Sequence, residues 1–265
     1  MRVGNLAELR NSCSGDLFII ASGPSAGGFP LQRYSHLPMI AVNGSIRLFT
    51  DAGVTPYFYL CDDSSFVRNR LSLLMEAVES AQHLALSPRV IKNLIERVPN
   101  ALDGRSIFRF QRVNRLAGEQ AAFSDRRFAW RARRDRDLEC QFSLFQQKPN
   151  RIGFSRNLEK GYFSNRTVPY AGVQLAYHLG FTRVFMVGLD LSSSAGRFYE
   201  QGKDAVPSRL DSDYEDYILP CFRLMSERVT GSKFQVFNLS SGSRLPETIV
   251  PKIDFNELDQ LLACS

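Results

Sequence analysis

A chain of 265 residues with 44% hydrophobic and 23% charged residues can bury one large core or two modest ones, a balance that sets it apart from disordered polymers. It has no run of about 18 apolar residues to cross a bilayer and no apolar signal-peptide core near the start. Its five scattered cysteines lack a CxxC pair, which argues against a zinc ribbon or a disulfide framework. The net charge of +6 is concentrated: residues 105–136 carry ten arginines against three acids, so the rest of the chain is close to neutral. These features predict a cytoplasmic protein with reduced thiols.

In chain order, residues 17–22 (LFIIAS) predict a buried strand, broken at once by a loop, Ser22-Gly23-Pro24-Ser25, and by Gly27-Gly28. MIAVNGS (39–45) and YFYLCDD (57–63) repeat the pattern and end in polar residues, with a short amphipathic helix between them that stops at Gly53. Residues 66–81 have helical periodicity, 83–87 read as a strand, and Pro88 opens another helix. Residues 100–165, rich in Arg, Phe and Trp, break the alternation and predict an insertion with some helix. Then come an amphipathic helix closed by Gly180 and an apolar strand ending at Gly188-Leu189-Asp190-Leu191. A polar loop follows, then a helix over 214–230 interrupted near Pro220, a strand at 233–240 and a terminal helix. The alternation predicts one α/β domain over 1–265 with a mostly parallel sheet, whose ligand site lies beyond the carboxyl ends of the strands.

The first loop is suited to an anion: Gly23 permits close approach, Ser25 offers a hydroxyl, and backbone N–H groups at a helix start point outward. No GK[ST] or GxGxxG follows, so it is not an ordinary nucleotide fingerprint, and a steric turn explains the glycines equally well. Asn43 offers a donor and an acceptor, although such a residue is often only a turn former. Asp62 and Asp63 suit ribose hydroxyls, a base or a divalent cation. Asp211 and Asp213 precede a helix; they read as first-turn acids, a general base or a metal clamp. The loop 192–204, with Arg197, Tyr199 and Lys203, is either a closing lid or a plain surface loop. None of His36, His83 and His178 sits at a polar strand end. The arginine run is a solvated helix face, a nucleic-acid footprint without a known motif, or a contact for anionic lipid.

SCSGDLFIIASGPSAGGFPL, IAVNGSIRLFTDAGVTPYFYLCDDSSF and YAGVQLAYHLGFTRVFMVGLDL resemble the WaaZ-type lipopolysaccharide core proteins, transferases of 3-deoxy-manno-octulosonic acid (Kdo). The order SGPS, VNGS, HLGFTRVFMVGLDL is similar, more distantly, to bacterial sialyltransferases that use CMP-sialic acid. The resemblance, which covers most of the chain except the arginine segment, implies a Rossmann-like, GT-A-like domain of the sialyltransferase type, to which the residues themselves add an Arg-rich helical insertion at 100–165 and a candidate lid at 192–213. It implies CMP-Kdo as donor, a Kdo-bearing lipid A inner core as acceptor, and no cofactor, metal or nucleic acid. Gly23, Pro24, Ser25 and Asn43 match the CMP-holding positions. Asp62 stands where the sialyltransferases have Asn, Asp190 matches an aspartate near the nucleotide, and Arg166 lies near the arginine for the donor carboxylate. One of the two leaving-group tyrosines reads Ser192, so Tyr199, with Arg197, is left for that role. No histidine occupies 211–216, which leaves Asp213 as base. Arg126, Arg127, Arg131, Arg133 and Arg134 would then meet lipid A phosphates or the anionic inner leaflet. The alternatives are a sialyltransferase, a metal-dependent pterin or nucleotide pyrophosphokinase, and a non-catalytic lipid-binding protein.

Overall fold

The computed structural model describes residues 1–116, 120–192, 196–199 and 210–263. Its strands are β1 (Arg2–Val3), β2 (Asp16–Ile20), β3 (Met39–Val42), β4 (Phe58–Cys61), β5 (His83–Leu86), β6 (Ser106–Arg109), β7 (Leu138–Cys140), β8 (Gly153–Ser155), β9 (Arg183–Val187) and β10 (Gln235–Asn238). Eight of them form one sheet in the order β1-β6-β5-β4-β3-β2-β9-β10, and every neighbouring pair is parallel. The remaining two, β7 and β8, make a separate antiparallel pair. From β2 the chain builds outward to β6, then returns to lay β9 on the other side of β2. The switch point of the sheet is therefore the β2–β9 seam.

The apolar runs are uninterrupted because both faces of the sheet are covered. Side chains alternate: Leu17 and Ile19 enter one core with Ile40, Val42, Phe58 and Leu60, while Phe18 and Ile20 enter the other with Met39, Ala41, Tyr59 and Cys61. The helices are α1 (Leu6–Leu9), α2 (Ile46–Ala52), α3 (Ser64–Asn69), α4 (Leu71–Ser80), α5 (Pro88–Arg97), α6 (Asp125–Ala132), α7 (Val168–Leu179), α8 (Leu210–Asp213), α9 (Leu219–Arg228) and α10 (Phe255–Ala263). The first core is closed by α7 and α9, the second by α2, α4, α5 and α10. As expected, Gly53 and Gly180 end α2 and α7 in the left-handed conformation.

Three local expectations change. The insertion expected from residue 100 starts too early, because Ser106–Arg109 is a sheet strand whose short apolar centre, Ile107-Phe108, is masked in the sequence by flanking arginines. The helix expected over 66–81 is two helices that part at Arg70. There the Arg97 guanidinium donates to the Val67 and Arg68 carbonyls, groups left open by the end of α3. The interruption near Pro220 is a π-turn, Tyr214–Ile218, with the Leu219 N–H donating to the Tyr214 carbonyl. Pro220 has no N–H to give the preceding turn, so the regular ladder cannot run through it.

His178 is a structural residue. Its Nε2 lies 2.8 Å from the Leu6 carbonyl and its Nδ1 accepts from the Leu158 N–H at 3.3 Å, a pattern that only the neutral Nε2–H tautomer satisfies. Burial lowers the pKa of His178, and burial together with Arg105 lowers that of His83. The unfolded imidazoles titrate near 6.5, so below about pH 6.5 the unfolded state takes up more protons and stability falls as pH drops. Thermal melts should be flat from pH 8 to 7 and decline from about pH 6.5, with a shallower decline in His178→Gln. Identical slopes for the two proteins would remove His178 from this effect.

Candidate active site

At the seam the loops after β2 and β9 come into close contact. Gly23 N–H donates to the Gly188 carbonyl at 2.9 Å, and Ser25 N–H donates to Asp190 Oδ2 at 3.0 Å. A Cβ on Gly23 would overlap both the Asp190 carboxylate and the Gly188 carbonyl. The loop after β10 braces this contact: Ser25 Oγ donates to Ser240 Oγ, which also accepts from Leu189 N–H, while the Ser243 hydroxyl donates to the Leu189 carbonyl.

This geometry corrects the expected anion cradle. The Gly23, Ser25 and Ala26 N–H groups are all spent within the protein, Pro24 has none, and the Ser25 hydroxyl is a structural link. The Asp190 carboxylate already accepts at the start of the short 3-10 turn Pro24–Gly28, where an anion was expected.

A cavity of about 380 Å³ opens over the carboxyl ends of β2, β3, β4 and β9. It brings together Gly23, Asn43, Asp62, Asp63, Arg166, Asp190, Arg197 and Asp213 from the expected set, but not Pro24, Ser25 or Tyr199. The Tyr199 ring lies against Gly44, where a Cβ would strike it, and Phe198 N–H donates to the Ser22 carbonyl. Residues 196–199 of the expected lid thus lie across the ends of β2 and β3. Residues 193–195 and 200–209, including Lys203, fall outside the described residues.

The cavity's carboxylates have different duties. Asp63 caps α3 by accepting from Ser65 N–H and Oγ. Asp62 pairs with Arg112 at 3.0 Å. Burial works against the Arg112 charge, but Asp62 and Tyr162 outweigh it and hold the guanidinium protonated. Tyr162, stacked on Phe110 at 4.2 Å, keeps its phenol protonated through burial and the nearby Asp62 charge. Asp190 is held by Ser25. Asp211 pairs away with Arg244, so the two carboxylates of the DxD do not act as one clamp. Asp213, half-buried, has no hydrogen bond or ion pair among the described residues.

Among the cations, Arg166 has no carboxylate partner among the described residues; its guanidinium sits 5.2 Å over the Tyr217 ring. The Asn43 amide oxygen is buried without a hydrogen bond among the described residues. Backbone strain gathers at the same place: of the non-glycine residues with left-handed φ, Asn43 (49°), Arg166 (72°) and Leu191 (58°) all line the cavity. Among the described residues no three His, Cys, Asp or Glu side chains group as metal ligands. The thiols of Cys61, Cys140 and Cys221 are pushed up to about 12 by burial, which keeps them un-ionised.

Sequence reasoning missed Arg112, Tyr162, Ser164 and Thr167 as cavity residues. Arg112 stood among the arginines assigned to the surface run, and its contacts with Asp62 and Tyr162 bring it into the cavity.

A wholly parallel sheet with a polar cavity at its switch point defines a doubly wound α/β protein with a ligand site at the carboxyl ends of its strands. The MAf glycosyltransferase from Magnetospirillum magneticum AMB-1 shares the fold, with a TM-score of 0.53 at 16% identity, over 96% of this chain and 38% of that one. The chain therefore spans well under half of that glycosyltransferase. Residues 2–256 match the family described as 3-deoxy-D-manno-octulosonic acid transferase WaaZ, and the chain belongs to that family. It is 28% identical over 262 residues to a probable 3-deoxy-manno-octulosonic acid transferase of Escherichia coli (strain K12), covering 97% of this chain and 88% of that protein. The Salmonella typhimurium protein of the same description is 30% identical over 252 residues, covering 92% and 88%. The protein is thus a glycosyltransferase of the Kdo transferase family.

Two substitutions test the site's construction. Gly23→Ala should cost about 1–3 kcal/mol of unfolding free energy, because the seam has no room for a methyl group. Asn43→Gly should gain about 1 kcal/mol by relieving a left-handed backbone. Urea denaturation measures both; equal stability of all three proteins would show that the seam is neither tight nor strained.

Proposed function

We propose that the protein transfers Kdo from CMP-Kdo to the Kdo-bearing inner core of a lipid A acceptor, with inversion at the anomeric carbon. The observation that carries the reading is the pair of cavity groups left over once structural contacts are counted: the Arg166 guanidinium and the Asp213 carboxylate. The donor has a sugar carboxylate and a phosphate diester, and the acceptor has a hydroxyl proton to lose. Arg166 binds the donor carboxylate, with the Asn43 amide and the Ser164 and Thr167 hydroxyls as further partners.

Asp213 accepts the proton of the acceptor hydroxyl as its oxygen bonds to the anomeric carbon and the bond to the CMP phosphate breaks. The transition state is oxocarbenium-like. Of the two groups expected to assist the departing phosphate, Arg197 lines the cavity and takes that role, while Tyr199 braces the segment on Gly44. The scheme uses no metal ion or cofactor, so transfer is expected to persist in EDTA.

The arginines of α6 and the turn after it serve acceptor docking, and the protein works at the cytoplasmic face of the membrane. No helix among the described residues is long and apolar enough to cross a membrane.

Asp213→Asn should lower transfer to a Kdo-lipid A acceptor at least 100-fold while leaving CMP affinity within about twofold, read by mass spectrometry of the lipid and by calorimetry. Transfer at the wild-type rate would remove Asp213 from the chemistry. Arg166→Ala should raise the KM for CMP-Kdo by about tenfold or more with CMP binding little changed. If the wild type transfers sialic acid but not Kdo, the donor assignment fails.

A further inference from the structure

The arginines around α6 differ from the other cations of the same region. Lys148, Arg151, Arg156 and Lys160 are each paired with a carboxylate. Arg126, Arg127, Arg131, Arg133, Arg134 and Arg136 have no carboxylate partner among the described residues and stand exposed. Aromatic rings hold four of them instead: Arg127 and Arg131 lie over Phe123, Arg133 over Phe142 and Arg134 over Trp130. Stacking fixes the guanidinium plane and leaves its donors open to an outside anion.

Beside this face stands the turn between β7 and β8, which presents Leu144 at 60% exposure and Phe145 at 94%. The turn is built rather than loose. The Asn150 side chain, 1% exposed, accepts from Ser143 N–H and donates to the Ser143 and Gln146 carbonyls, and Ser143 Oγ accepts from Gln146 N–H. It is tied to α6 on both sides, through Arg133 over Phe142 and through Arg151 and Gln147 to Asp125. The structure holds two large apolar side chains in water at an energetic cost, next to a row of guanidinium groups without carboxylate partners among the described residues.

We propose that the Leu144-Phe145 turn enters the headgroup–acyl boundary of an anionic phospholipid bilayer while the α6 arginines hold lipid phosphates beside it. This deepens the functional reading and rests on its lipid acceptor. The Lys148–Asp216 ion pair joins the same module to the π-turn directly after Asp213, so the docked surface adjoins the cavity. An acyl-anchored acceptor can then reach the carboxylate without leaving the bilayer.

Trp130, the only tryptophan, is 47% exposed on this face and reports on it directly. The full chain would be titrated with vesicles of phosphatidylglycerol and of phosphatidylcholine. Expected are a blue shift of Trp130 emission with phosphatidylglycerol, quenching by brominated acyl chains, and about tenfold or greater loss of vesicle affinity in Leu144→Ser/Phe145→Ser with an unchanged melting temperature. Arg126→Glu/Arg134→Glu should abolish the preference for phosphatidylglycerol. Wild-type vesicle affinity in the Leu144→Ser/Phe145→Ser protein, or no vesicle binding by the wild type, would overturn the proposal. Vesicle binding needs neither donor nor acceptor, so a failure of Kdo transfer with these binding results intact would count against the proposed function and leave the docking surface standing.

Discussion

The β2–β9 seam is the constraint on which the rest depends. At one end Asp16 and Arg183, paired in register across the two strands, form a bidentate ion pair. At the other, Gly23 meets Gly188 and Asp190 with no space for a side chain. Two neighbouring strands pinned at both ends cannot slide, and slippage by one residue would exchange the two cores that Leu17 and Phe18 enter on opposite faces. The carboxyl ends that frame the cavity are therefore fixed before any ligand arrives, as preorganised catalysis demands.

The seam also decides which charges remain for chemistry. Asp190 and Ser25 are consumed in holding it, Asp63 in starting a helix, Asp62 in neutralising Arg112. Inorganic anions that settle on open glycine loops would find this one already satisfied by an internal carboxylate. The cavity thus offers side chains rather than backbone amides of this loop, among them Arg166, whose left-handed backbone is one of three such positions around the same cavity. Three of the four non-glycine residues with left-handed φ among the described residues line this cavity, the fourth being Asn11, and such clustering marks where geometry was selected over local comfort.

Much of the fold was legible in the sequence because each central strand is an apolar run ended by Gly, Asn or Asp, and a buried parallel strand has no other simple spelling. The exceptions have physical causes. β6 has a two-residue apolar centre in a field of arginine, and Arg97 ends α3 from 30 residues away. The site was legible as residue types but not as roles. Gly23, Asn43, Asp62, Asp63, Arg166, Asp190, Arg197 and Asp213 line one cavity, yet nothing local says that the Ser25 amide is already taken, since its partner Asp190 lies 165 residues on. Arg112 and the Leu144-Phe145 turn escaped for the same reason: one acquires meaning from a distant carboxylate, the other from the absence of any cover.

The π-turn at Tyr214–Ile218 adds one residue to the helical path between α9 and Asp213. Each residue advances an α-helix by about 100°, so the extra one sets the compass bearing of α8 relative to the firmly packed α9. Asp213 has no hydrogen-bond or ion-pair partner among the described residues, and helical phase sets its direction. Tyr214, whose hydroxyl donates to the Arg244 carbonyl and whose ring lies 3.8 Å beneath the Arg244 guanidinium, locks that phase. A chain one residue shorter in this turn could keep every side chain named in the cavity and still point its carboxylate elsewhere. Spacing in this segment is thus as much a part of the site as the residues themselves.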